Sequence, residues 1–190
     1  MKRILLITHE ASRTGAPLVV LHFARWLRAV HPEVGVDVLA LKGGPLAEEF
    51  RTVADHYVEL VMPPSPERSL ASRAGLRLLR LLGFARVPTG AEWKEMQLVQ
   101  LAGKRYDVVL ANSLASIPVA GRIKAMAPKK PIVIAHIHEL EMVIRQLLPD
   151  LLQHLRPVDR IWAGSELVRE GLIRQWGVPE ARIDVQYPIT

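Results

Sequence analysis

Short aliphatic and β-branched runs recur along this chain, each followed by residues at helical spacing, and that alternation constrains the fold more than any other feature. Ile4 to Ile7, Val36 to Leu41, Tyr57 to Val61, Asp107 to Ala111, Pro131 to Ala135, Arg160 to Ala163 and Arg182 to Gln186 read as strands. Their continuous apolar character is that of strands covered by helices on both faces. Helices are predicted from Ala16-Pro17, from Pro45 to Ala54, from Pro118 to Met126, from Glu139 to Leu155, and from an N-cap at Ser165 to Trp176. The pattern predicts an α/β fold, a doubly wound, mostly parallel Rossmann-like sheet with ligands at the carboxyl ends of its strands. Met62-Pro63-Pro64-Ser65-Pro66 interrupts the alternation, and a helical insertion is expected at about 62–105, with helical stretches over Ser69 to Leu82 and Glu92 to Ala102. No internal repeat or low-complexity segment stands out.

The 190 residues, 49% of them apolar, suffice for one domain over 1–190 with its own core. Cysteine is absent, which excludes disulfides, thiolate zinc sites and a cysteine nucleophile, and fits a reducing, cytoplasmic setting. Lys and Arg outnumber Asp and Glu by 25 to 19, for a net charge of +6, which favours anionic partners. Residues 62–105 hold eight of those cations against three Glu. Arg73, Arg77 and Arg80, at i, i+4 and i+7, fall on one basic helical face suited to an anionic membrane surface. The plainer reading is a helix that packs its leucines and solvates its arginines. Nucleic acid is not an expected partner, because aromatics are only 5% and no nucleic-acid motif is present. Lys2-Arg3 is followed by too short an apolar run for a secretory signal, and no segment reaches the roughly 20 apolar residues of a spanning helix.

Small polar residues collect at the strand ends. The loop Thr8-His9-Glu10-Ala11-Ser12-Arg13-Thr14-Gly15-Ala16-Pro17 lacks both the G-x-G-x-x-G fingerprint and the P-loop pattern. Gly15 at a helix start suits either an anion or an ordinary turn. In Ala135-His136-Ile137-His138-Glu139, alternation puts both histidines on one face, and Glu139 is expected to open the next helix. A metal would need a third ligand that the sequence does not offer, so none is expected. Asn112-Ser113 and Gly164-Ser165 end two further strands and complete a polar rim.

These loops, with Ala163-Gly164-Ser165, Trp176-Gly177-Val178-Pro179 and Arg182-Ile183-Asp184-Val185, resemble the N-terminal half of GT-B glycosyltransferases of family 4. The resemblance covers nearly the whole chain outside residues 62–105. It implies a retaining hexosyltransferase that moves a sugar from a nucleotide-sugar donor to an acceptor in polysaccharide or glycolipid synthesis. The chain would supply the acceptor-side domain, inactive alone, while a C-terminal nucleotide-binding domain lies beyond it. By the same resemblance, Thr14, Gly15 and Ala16 form the donor diphosphate and sugar loop, and His138 is the catalytic histidine near the reacting carbon. Glu10, Asn112, Ser113, Glu139 and Ser165 belong to the acceptor side or the rim. No cofactor is implied, and a lipid-linked acceptor at the inner face of the cytoplasmic membrane is expected if the arginine face binds lipid. The same rim also suits a non-catalytic module that binds a nucleotide or another phosphorylated ligand.

Overall fold

The computed structural model describes residues 2–60 and 89–187. Along the chain come β1 (Arg3–Thr8), α1 (Gly15–Val30), β2 (Gly35–Ala40), α2 (Ala47–Val53) and β3 (His56–Glu59), then α3 (Gly90–Ala102), β4 (Val108–Asn112), a 3₁₀ turn (Leu114–Ser116) and α4 (Ile117–Met126). β5 (Ile132–Ile137), α5 (Glu141–Leu147), α6 (Leu151–His154), β6 (Arg160–Ala163), α7 (Glu166–Trp176) and β7 (Ile183–Val185) follow. All strand pairs are parallel, in the order β3-β2-β1-β4-β5-β6-β7. The direction of winding therefore switches between β1 and β4, where α/β sheets open a crevice at their carboxyl ends.

Side-chain alternation builds two cores. Leu6, Val36, Val38 and Ala40 meet Val20, Leu21, Ala24 and Leu27 of α1 and Phe50 of α2. On the opposite face Leu5, Ile7, Val109, Ala111, Val133, Ala135 and Ile161 pack under α3, α4 and α7. Each fully buried aliphatic side chain contributes roughly 1.5–3 kcal/mol relative to exposure, which explains why the interior strands β1, β4 and β5 are largely apolar on both parities.

Differences from the sequence expectation have local causes. α3 begins at Gly90, because the Thr89 hydroxyl accepts from the Glu92 N–H and the Glu92 carboxylate accepts from the Thr89 N–H, a reciprocal cap. This is the described part of the segment expected at 62–105, and it is the crossover from β3 to β4. The helix expected over Glu139 to Leu155 is two short ones, since Pro149 offers no N–H and disfavours the helical conformation at Leu148, which sits at φ −145° and ψ 66°. Arg73, Arg77 and Arg80 lie outside the described residues.

Three aspartates stand immediately before strands and tie the neighbouring strand at its start. Asp55, Asp107 and Asp159 accept the backbone N–H of Val36, Arg3 and Val133 at 2.9, 2.9 and 2.7 Å. Each donates its own N–H to the carbonyl of that same residue, at 2.7, 2.9 and 2.9 Å respectively. Burial pushes Asp55 and Asp159 upward, but bonds from Arg28 and Lys124 and from the backbone outweigh it, so both lie below the usual carboxylate range. The Lys129 ammonium and the Arg3 N–H lower Asp107 likewise. Elsewhere Asp37, buried within β2, accepts from the Tyr106 hydroxyl at 2.7 Å and from Lys104 at 3.0 Å.

Candidate active site

The rim is built by the loops after β1, β4, β5 and β6. After β1 the chain turns through hydrogen bonds of its own side chains: the Thr8 hydroxyl donates to the Glu10 carbonyl at 2.9 Å, and the Ser12 hydroxyl to the Glu10 carboxylate at 2.5 Å. Glu10 therefore shapes the loop. The neighbouring loop holds it from outside, as Ala11 donates to the Lys42 carbonyl and accepts from Leu46. A Cβ on Gly44 would sit 2.4 Å from the Ala11 carbonyl oxygen, so this close approach requires glycine there.

Thr14 is the N-cap of α1, yet no side chain caps the helix. Gly15 and Ala16 start it, and Pro17 has no N–H to give, so the positive end of the helix dipole is carried by the Gly15 and Ala16 amides. A Cβ on Gly15 would meet nothing within 4 Å. The protein's own packing does not demand glycine there.

β5 extends two residues further than the sequence pattern shows, to Ile137, and presents His136 and His138 on one face with ring centroids 3.9 Å apart. The His138 Nε2 lies 3.0 Å from Asn112 Oδ1, and Asn112 Nδ2 donates to the Ala16 carbonyl at 2.9 Å. Asn112 therefore bridges the candidate catalytic histidine to the first turn of α1. Burial holds His138 below the usual imidazole range, partly offset by the Glu139 carboxylate. His136, 3% exposed, is pushed down to about 4 by burial and by the His138 charge, and its Nε2 has no partner among the described residues.

Glu139 does not open a helix. Its carboxylate accepts from the Leu114 N–H at 3.1 Å and the His138 N–H at 3.0 Å, locking the β5 end to the turn after β4. Ser113 occupies φ +77° and ψ 160°, a region essentially restricted to glycine, and its hydroxyl lies 3.2 Å from the His9 ring. Ser165 is the N-cap of α7, accepting from the Val168 N–H at 3.3 Å. Thr14, Gly15, Ala16, Asn112 and His138 thus converge, whereas Glu10, Glu139 and Ser165 act on backbone or loop structure.

Two hollows adjoin the rim. One, of about 270 Å³, is walled by Phe23, Trp26, Leu110, Trp162 and Tyr187, with His136 at its edge. The other, of about 330 Å³, runs from Glu139 between α5 and α7 past Leu140, Met142 and Leu167. Among the described residues no group of three or more His, Asp or Glu is placed to hold a metal, and no helix is long and apolar enough to cross a membrane.

The sequence model of Glycosyltransferase Family 4 matches residues 13–189. The chain belongs to that family. No curated protein matches the sequence. Among solved structures, this family-4 domain is similar to the apo form of the lipopolysaccharide outer core galactosyltransferase WaaB, at TM-score 0.62 and 13% identity over 98% of this chain and 45% of that one. A glycosyltransferase from Rickettsia africae ESF-5 gives TM-score 0.56 and 14% identity over 98% of this chain and 42% of its own. An α-glucosyltransferase in complex with UDP and a 13-mer DNA containing an HMU base gives TM-score 0.56 and 11% identity, over 99% and 42%. The chain therefore spans less than half the length of these relatives, with the fold of the N-terminal GT-B half.

Proposed function

We propose that this family-4 domain is the acceptor side of a retaining glycosyltransferase, which moves a sugar from a nucleotide-sugar to an acceptor hydroxyl in polysaccharide or glycolipid synthesis. The observation that carries this reading is the link from His138 through Asn112 to the first turn of α1. It brings a polar group suited to a reacting sugar within two hydrogen bonds of a helix start suited to a diphosphate. The leaving diphosphate gains negative charge, which the Gly15 and Ala16 amides and the dipole of α1 stabilise. His138, neutral at neutral pH, faces the sugar and orients or accepts from a hydroxyl near the reacting carbon. The second domain supplies the nucleotide pocket and the cations that complete the leaving-group site. No metal or cofactor is part of this reading.

The UDP held by the α-glucosyltransferase relative supports a nucleotide-sugar donor. Exposed Leu140, Met142 and Leu167 along the groove from Glu139 support an acceptor with an apolar portion, as a lipid-linked sugar at the inner membrane face would have. The test supplies a C-terminal nucleotide-binding domain, offers UDP-hexoses with oligosaccharide and lipid-linked acceptors, and follows product by mass spectrometry and anomeric NMR. Transfer with retention is expected. Inversion would remove the retaining mechanism, and nucleotide binding without transfer would make the domain a binding module. Co-sedimentation with anionic vesicles, abolished when Arg73, Arg77 and Arg80 are reversed to Glu, tests the membrane contact.

A further inference from the structure

The partners of Asn112 determine the protonation of His138. The Ala16 carbonyl can only accept, so the Asn112 group 2.9 Å from it is the amide nitrogen, and the side chain cannot be turned over. Its oxygen then faces His138 Nε2 at 3.0 Å, and an amide oxygen can only accept. The proton of that bond must come from the imidazole. We infer that Asn112 fixes His138 as the Nε2–H tautomer, leaving Nδ1 as an unprotonated acceptor for a ligand hydroxyl, and that Gly164 leaves the ring room to sit in that position.

The role of Gly164 follows from what a side chain there would meet. A Cβ on Gly164 would stand 3.0 Å from His138 Nδ1 and 3.4 Å from His138 Cα. A side chain there would press on the ring and so on its hydrogen bond to Asn112. The carboxylate that could compete for the ring, Glu139, is engaged by the Leu114 and His138 amides. Burial holds the ring neutral, so one nitrogen donates and the other accepts. Asn112 and Gly164 are therefore positioning residues, and His138 is the group that touches the ligand. That the hydroxyl belongs to a sugar rests on the proposed function; the tautomer does not.

The test is long-range ¹H–¹⁵N NMR of the imidazoles in this chain at neutral pH, with the His138 signal assigned by its loss in His138→Gln. A protonated Nε2 and a free Nδ1 are expected, and protonation at Nδ1 would overturn the inference. In Asn112→Leu, measured well below its Tm, the Nε2 proton should exchange with water at least tenfold faster, while Asn112→Asp, which keeps an acceptor, should retain the slow proton. An unchanged exchange rate in Asn112→Leu would also overturn it. With the second domain supplied, Asn112→Leu and Gly164→Ala should each lower kcat/KM at least tenfold. The expected tautomer without any transfer by the unsubstituted protein would sink the proposed function and leave this assignment standing.

Discussion

Gly15 separates an anion-binding helix start from an ordinary turn, because its own surroundings leave room for a side chain. Gly15→Ala should leave stability unchanged or raise it by up to about 1 kcal/mol, since alanine is the better helix former. If the diphosphate approaches the Gly15 and Ala16 amides, the same substitution should raise the donor KM at least tenfold. Urea denaturation and steady-state kinetics on the two-domain protein read the two effects separately. Ser113 makes the opposite case. Its backbone conformation suits glycine, and Ser113→Gly should stabilise the domain by about 1 kcal/mol while freeing the His9 ring. His138 and Asn112 were legible in the sequence because each ends an apolar strand run. The demand for glycine at positions 44 and 164 was not, since it comes from carbonyl and ring atoms in other loops that leave no local pattern.

At the level of elements, the recurrent device is an aspartate that precedes a strand and exchanges two hydrogen bonds with one residue of the strand beside it. Asp55, Asp107 and Asp159 pin β3 to β2, β4 to β1 and β6 to β5. Register is thereby set at the end of the sheet away from the ligand rim, where a slip by one residue would turn every buried side chain outward. Asp107→Ala should cost about 1 kcal/mol in urea unfolding, and Asp107→Asn, which keeps an acceptor, should recover most of it at neutral pH. The strands themselves were readable because burial on both faces demands aliphatic runs. Their anchors were present as Asp55-His56, Asp107-Val108 and Asp159-Arg160, yet a single polar residue before an apolar run does not announce which strand it will tie. The division of the helix after β5 followed from Pro149, whose effect outweighed an otherwise continuous helical periodicity.

For the whole molecule, acidification should weaken folding in two stages. His136 titrates near 4 in the fold against a usual 6.5, so between those values the unfolded chain binds the extra proton and stability falls as pH falls. The loss amounts to roughly 3 kcal/mol and should vanish in His136→Phe. Below the usual aspartate value of 3.8, Asp55, Asp107 and Asp159 resist protonation in the fold, and the stability they contribute above that pH is lost in turn. Urea midpoints measured from pH 7 to pH 3 distinguish the stages. The sheet order carries one more consequence. β1 is an interior strand, β2 and β3 extend the sheet on one side of it, and β4 to β7 extend it on the other, each pairing beside a strand already made. Synthesis from the N-terminus thus delivers every strand to a free edge, so a chain leaving the ribosome can complete this sheet without prising apart any pair that has already formed.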